Sequence, residues 1–252
     1  ANCDAEYANK LRENRIAEIR PCCRCLNCLG GLCRANPCNN SVSTDAMPEG
    51  YEVRPADGDK NVMVIGGGPA DMEAARVAAE RGYDVTLYEK NGLGGLLDFA
   101  EMVKGKHESL GRLRNYLSHM LELEGVAVVS GQEVDAAFVR EQSPDVVIVA
   151  TGGVRPELAA AGGSATPVIG VTDFLASEIG GRVAVLGFNA QATDTAHYLI
   201  AQGKKVTVIA PEAAEAFGAG QSMMLNAFVK PAFFAAGGRL MPECTLKSVG
   251  DG

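Results

Sequence analysis

The apolar positions of this chain fall into short continuous runs, several of which end in glycine and lead into helix-forming residues. Val62–Ile65 is the first, a run of the kind a strand buried on both faces needs, and it leads straight into Gly66, Gly67 and Gly68. Pro69 suits the first turn of a helix, Ala70–Glu80 supplies good helix formers, and Gly82 stops them. Asp84–Tyr88 reads as the second strand, with Glu89 at its carboxyl end. Farther along, Leu110, Leu113, Leu117, Met120 and Leu121 have helical spacing within Glu108–Glu122 and form a face that packs on a sheet. Val126–Val129 reads as a strand, and Asp145–Ala150 (DVVIVA) as another buried strand that ends in Thr151, Gly152 and Gly153. Ala5–Ile19 reads as a short helix charged on one face, and Met223–Phe234 as a packing helix. Thr245–Val249 reads as a strand running into a turn at Gly250, Asp251 and Gly252 with no return strand, as in a fragment of a longer polypeptide.

The strand, glycine turn, helix and strand of the opening unit occur twice. Arg182–Pro211 repeats it element by element, with Gly203 as the helix stop and VTVIA in place of VTLYE. Gly187 to Ala210 spans the same interval as Gly66 to Glu89. Two such units predict an α/β protein with two Rossmann-like dinucleotide-binding domains, in which a dinucleotide pyrophosphate lies on a helix N-terminus and an acid about 20 positions on accepts the ribose hydroxyls. The predicted divisions are residues 1–60 (helix, cysteine loop and linker), 61–155 (first nucleotide-binding domain, first segment; FAD-type by the family resemblance) and 156–252 (second nucleotide-binding domain, incomplete at its C-terminus; NAD(P)H-type by the same resemblance).

Both turns depart from the glycine pattern G-x-G-x-x-G. In the first, Asp71 stands where a small residue lets helix and strand pack closely, and it places a carboxylate near a phosphate of the same sign. In the second, Asn189 replaces the middle glycine, Ala192 the last, and Ala210 the ribose-binding acid. Between the first helical units, Gly94 and Gly95 of NGLGGLL either bring backbone close to a flavin or phosphate or form a plain loop. Lys204 and Lys205 are within reach of a phosphate, but read more simply as solvated surface.

Composition narrows the class. The 252 residues, 47% of them hydrophobic, suffice for two modest cores, and a net charge of -8 argues against nucleic acid or an anionic membrane as partner. Ala1–Lys10 is polar, with nothing of a signal peptide, and a cytoplasmic protein is expected. His107, His119 and His197 are scattered, with no triad and no metal-binding histidine cluster, so no catalytic residue is assigned. The cysteines carry more. Six of the eight crowd into Cys22–Cys38, and Cys22, Cys25 and Cys28 are each three residues apart, which lets one tight loop wrap three thiolates round a single inorganic centre. Cys33 is the natural fourth ligand, before Asn36 and Pro37, with Cys38 a contender; Cys23 points the wrong way if Cys22 is a ligand. The reading is a [4Fe-4S] cluster, with a four-cysteine zinc site and disulfides as the alternatives.

The run Ile19-Arg20-Pro21-Cys22 with CxxCxxC, Cys33 before Asn36-Pro37, then VMVIGGGPA, EAARVAAERGYDVTLYEK, LGGLL and DVVIVATGG, resembles the large multidomain flavoenzymes of the old yellow enzyme group. These include the 2,4-dienoyl-CoA reductases, 2-enoate reductases, bile-acid-type dehydroxylation reductases and trimethylamine dehydrogenase. The resemblance covers nearly the whole chain. It implies an iron–sulfur flavoprotein oxidoreductase in which an FMN barrel, absent from this chain, carries the substrate chemistry. Electrons would pass from NAD(P)H through FAD and the cluster to that FMN, which reduces an activated C=C bond. It further implies Cys22, Cys25, Cys28 and Cys33 on the cluster, and Gly66, Gly68, Pro69, Ala70, Glu89, Lys90, Gly94, Gly95, Ala150, Thr151 and Gly152 around FAD, with Gly187 marking the NAD(P)H turn. Its partners would be nicotinamide and flavin nucleotides and the FMN barrel, as domain or subunit, with a homo-oligomer compatible. A gap between Cys28 and Cys33 shorter than the group's usual one, together with Asp71, Asn189 and Ala210, departs from the pattern. The rival reading, from those three residues, is a non-catalytic nucleotide-binding module holding ADP or no ligand.

Overall fold

A computed structural model of the chain describes residues 4, 6–24, 53–105, 109–153 and 166–250. They form two compact units, the described residues up to 24 and from 53 to 153 in the first and residues 166–250 in the second. Cys25, Cys28, Cys33, Cys38 and His107, singled out in the sequence, lie outside the described residues.

The first unit is built on four parallel strands in the order β3-β2-β1-β4: β1 Asn61–Ile65, β2 Asp84–Glu89, β3 Ala127–Ser130 and β4 Val146–Val149. α1 is Tyr7–Arg12, α2 Pro69–Glu80, α3 Leu97–Lys104, α4 Leu110–Leu123 and α5 Ala136–Gln142. The helical face read from Leu110, Leu113, Leu117, Met120 and Leu121 is buried, and it packs with Met72 and Ala75 of α2 over Val62, Val64, Val85 and Leu87. β1 is buried on both faces, with Val62, Met63 and Val64 at 4% exposure or less.

β4 is not the buried strand its sequence suggests. Val147 and Val149 are 39% and 66% exposed, because β4 is the edge of the sheet and only its alternate residues meet the described core. The helix expected over Ala5–Ile19 is likewise broken into α1 and a 3-10 turn, Ile16–Glu18. Asn14 takes a left-handed conformation, φ 57°, and the Arg15 N–H bonds back to the Lys10 carbonyl, which closes the first helix.

The second unit repeats the design with β5 Arg182–Leu186, α6 Ala190–Ala201, β6 Lys205–Ile209, α7 Met223–Ala235 and β7 Arg239–Met241, in parallel order β5-β6-β7. Its core joins Ala196 and Leu199 of α6 to Val206 and Val208, and an aromatic group in which Phe217 lies 5.7 Å from Phe188 and 4.8 Å from Phe233. The last strand is thus Arg239–Met241; Thr245–Val249 is not one, since the described residues offer it no strand to pair with.

Candidate functional site

The carboxyl ends of β1, β2 and β4 gather the residues singled out in the first unit. Gly66 bonds through its N–H to the Tyr88 carbonyl and has φ 121°, a conformation that turns the chain sharply out of β1 and favours glycine. Gly67 and Gly68 follow, Pro69 opens α2 with Ala70 behind it, and both are exposed. A Cβ on Gly67 would stand 2.7 Å from Glu89 Cγ and 2.8 Å from its Oε2, so the absence of a side chain is what lets Glu89 lie over the turn. Gly94 N–H donates to the Gly67 carbonyl at 2.7 Å, and a Cβ on Gly95 would approach Gly68 Cα at 3.0 Å. The second glycine loop is therefore docked on the first. On the far side of β1, Ala150 N–H bonds to the Ile65 carbonyl at 3.3 Å, and Thr151 and Gly152 continue past it, exposed. β1 thus has β2 on one side and β4 on the other, the point in an open parallel sheet at which a crevice opens beyond the strand ends.

Lys90 is exposed and lies 3.8 Å from the exposed Glu133, a surface pair. Sequence reasoning missed Asn91, whose N–H donates to Glu89 Oε1 at 2.7 Å, and Arg114, whose stem packs against Gly94 while its guanidinium pairs with Asp98. Asn91 directly follows Glu89 and Lys90 in a turn, a detectable signal; Arg114 is polar on a helix with an apolar face and gave none.

Asp71 is 1% exposed. Its Oδ2 accepts the Gly68 N–H at 2.9 Å, closing the first turn of α2 from the inside. Its Oδ1 is buried without a hydrogen-bond partner. Burial pushes its carboxyl above the usual range, with Glu89 adding to the shift and the N–H groups of Gly68 and Asp71 opposing it.

The second turn shares the backbone and differs in what fills it. Gly187 has φ 104° and bonds to the Ile209 carbonyl as Gly66 does to that of Tyr88. Phe188 is buried in the place of Gly67, and its carbonyl accepts N–H groups from both Gly218 (2.7 Å) and Ala219 (3.0 Å). Asn189 caps α6 by accepting the Ala192 N–H at 2.9 Å. Ala210 is 1% exposed and offers no carboxylate. Lys204 is drawn into structure, its Nζ donating to the Ile179 carbonyl at 2.6 Å. His197 receives similar use, its Nε2 lying 3.1 Å from the Val229 carbonyl, with burial lowering its pKa.

Of the proposed cluster ligands the structure describes Cys22, which is exposed; its neighbour Cys23 is buried in the first unit's core. Just before them Arg20 is paired with Glu73 of α2 and lies over the Tyr116 ring of α4, 5.5 Å from its centroid. Among the described residues, no group of three His, Cys, Asp or Glu side chains forms a metal site. No described helix is long and apolar enough to cross a membrane. An open concavity of about 270 Å³ lined by Asp59, Lys60, Asn61, Gly82 and Asp84 lies at the amino ends of β1 and β2, the edge opposite the glycine turn.

Residues 60–249 match the family described as pyridine nucleotide-disulphide oxidoreductase. The chain is 39% identical over 217 residues to an NADH oxidase of Thermoanaerobacter brockii, across 82% of this chain and 33% of that protein. It is 34% identical over 218 residues to a cinnamate reductase of Clostridium sporogenes, across 82% of this chain and 31% of that protein. The fold of a 2-naphthoyl-CoA reductase superposes with a TM-score of 0.80 at 25% identity, covering 96% of this chain and 37% of that one. The chain spans about a third of the length of these curated relatives. Parallel sheets with a repeated glycine turn and a match over most of the sequence agree: this chain belongs to the pyridine nucleotide-disulphide oxidoreductases, within the enoate reductase and trimethylamine dehydrogenase-like group of flavoenzymes.

Proposed function

We propose that this chain is the electron-transfer part of a NAD(P)H-dependent iron–sulfur flavoprotein, with FAD at the first glycine turn, a nicotinamide nucleotide at the second, and a [4Fe-4S] cluster on Cys22, Cys25, Cys28 and Cys33. Its electrons would go to an FMN barrel, domain or subunit, that reduces an activated C=C bond. The observation that carries the reading is the convergence of Gly66–Gly68, Glu89, Gly94–Gly95 and Ala150–Gly152 at one edge of the first sheet. The relative named a cinnamate reductase supports the substrate class.

The residues fit the adenosine half of FAD in shape. Gly67 and Gly95 lack the Cβ that would press on Glu89 and on Gly68, Gly95 is exposed, and Glu89 lies over the turn with one oxygen on the Asn91 N–H. Ala150, Thr151 and Gly152 supply a small, side-chain-poor edge beyond β4. When bound, FAD supplies the chemistry that accepts a hydride and releases single electrons, the form in which an iron–sulfur cluster carries them. The protein's part is position: Arg20, held by Glu73, fixes the chain two residues before Cys22, and Cys23 anchors it in the core while Cys22 faces out.

Anaerobic purification followed by a visible spectrum and assays of iron, sulfide and flavin tests the proposal. About four iron atoms per chain are expected, together with FAD that bleaches on adding NADH, and Cys25→Ser should lose the iron. Zinc in place of iron would overturn the cluster. The second reading, a non-catalytic nucleotide-binding module, is favoured by Asp71, Asn189 and Ala210, whose side chains leave both turns partly self-satisfied or without a ribose acid; bleaching of bound FAD would refute it.

A further inference from the structure

Among the described residues, three buried side-chain atoms have no hydrogen-bond partner, Asp71 Oδ1, Gln221 Oε1 and Asn226 Oδ1, and only the first belongs to a carboxyl. It lies at the start of α2, a helix of 12 residues whose N-terminal N–H groups and dipole favour an anion. Two features show that Asp71 already occupies that role. Its Oδ2 holds the Gly68 N–H, a donor that a phosphate on this helix would use. Its Oδ1 lies so close to Gly66 that a Cβ there would stand 2.5 Å away.

The surrounding charges do not offset it. Glu89, at the end of β2, adds a second negative charge beside the turn. Arg114 of α4 reaches Gly94, but its guanidinium is paired with Asp98 at the start of α3. β1 and β4 carry no titratable side chain. A diphosphate placed here meets a buried carboxyl with one oxygen unsatisfied and the other on a shared donor.

We infer that Asp71 sets the affinity of the first glycine turn for the diphosphate of a dinucleotide, opposing it while the carboxyl is charged and admitting it when the side chain is neutral. This rests on the dinucleotide reading of that turn. A phosphate beside the carboxyl favours its protonated form, so binding and proton uptake are linked. Affinity therefore falls as pH rises through the range of the Asp71 carboxyl, which burial places above the usual one. Asp71→Asn keeps the size and removes the charge; Asp71→Gly also releases the Gly68 N–H.

The test is calorimetric titration of the 252-residue chain with FAD, whose internal diphosphate does not titrate in the range, from the ordinary carboxyl range at about pH 4 up to about pH 8.5. The wild-type affinity is expected to fall about tenfold or more across that range, with a binding heat that tracks the buffer's ionisation enthalpy because a proton is taken up. Asp71→Asn and Asp71→Gly, checked for folding by their far-ultraviolet spectra, should bind about tenfold or more tighter than wild type at the upper end, and without that pH dependence. Wild type that binds FAD independently of pH and no more weakly than either variant would overturn the inference and leave the dinucleotide site standing. Absence of FAD binding by all three proteins at every pH would overturn both.

Discussion

Glu73→Ala isolates the contact that ties the segment before the cysteines to the glycine helix. Glu73 sits on α2 and receives Arg76 in two bonds, Nη2 to Oε1 at 3.0 Å and Nε to Oε2 at 3.1 Å, and also receives Arg20. Arg20 and Arg76 side chains are each 11% exposed and Glu73 is 29% exposed, so three charge-assisted bonds are shielded but not dry. Removing a partner from such a pair costs about 3–5 kcal/mol when fully buried, and about 0–1 kcal/mol at the surface. Arg76 keeps Glu80 at 2.7 Å, and Arg20 keeps the Tyr116 ring. The expected loss is therefore intermediate, about 2–3 kcal/mol. The pH dependence has a definite sign. Burial raises the Glu73 carboxyl, but Arg76 and Arg20 outweigh it and hold the folded value below the ordinary one. Its contribution is present above the unfolded pKa and is lost as pH falls through the folded value. Urea unfolding at neutral and acidic pH, followed by far-ultraviolet circular dichroism, measures both. A loss below about 0.5 kcal/mol at neutral pH, within the usual effect of a surface substitution, would refute the reasoning. So would an acid dependence identical to that of wild type.

Two further outcomes address the turns. Gly67→Ala forces Glu89 off the first turn, since the added methyl meets its Cγ and Oε2 below van der Waals distance; FAD affinity measured by titration should fall about tenfold or more, as when a positioned charge-assisted bond is lost. Asn189→Ala removes the α6 cap and should cost about 0.5–2 kcal/mol, whereas Asn189→Gly should cost only a few tenths. Hydrogen exchange at the Ala192 amide reports the difference, because that N–H is the one the Asn189 side chain holds.

The framework was legible because its signals are local. The apolar run of β1, the three glycines and the proline of α2 specify their conformations with little help from the rest of the chain, and the repeat at Arg182–Pro211 does the same. α3 and α5 escaped because they are short and their periodicity is weak. α5 nevertheless carries a signal in Asp135, which accepts the Ala137 and Phe138 N–H groups at 2.9 and 2.8 Å. The exposure of β4 was not legible at all, since DVVIVA reads the same whether or not another layer covers its second face.

The two glycine turns show where composition stops and geometry begins. In both, an N–H at the start of the following helix is held by a side chain of the glycine motif, Asp71 in the first turn of α2 on Gly68 N–H and Asn189 just before α6 on Ala192 N–H. The sequence shows that each residue departs from glycine, but not that each serves as a cap. The consequences differ because one cap is an acid and the other an amide. A phosphate at the second turn would compete with a neutral hydrogen bond, a difference of about 0.5–1.5 kcal/mol, and would meet no opposing charge from the cap. At the first turn it competes with a hydrogen bond and also meets a carboxyl that burial already holds toward its neutral form. The first turn's affinity should accordingly follow the protonation of its cap, while the amide cap of the second imposes no such dependence.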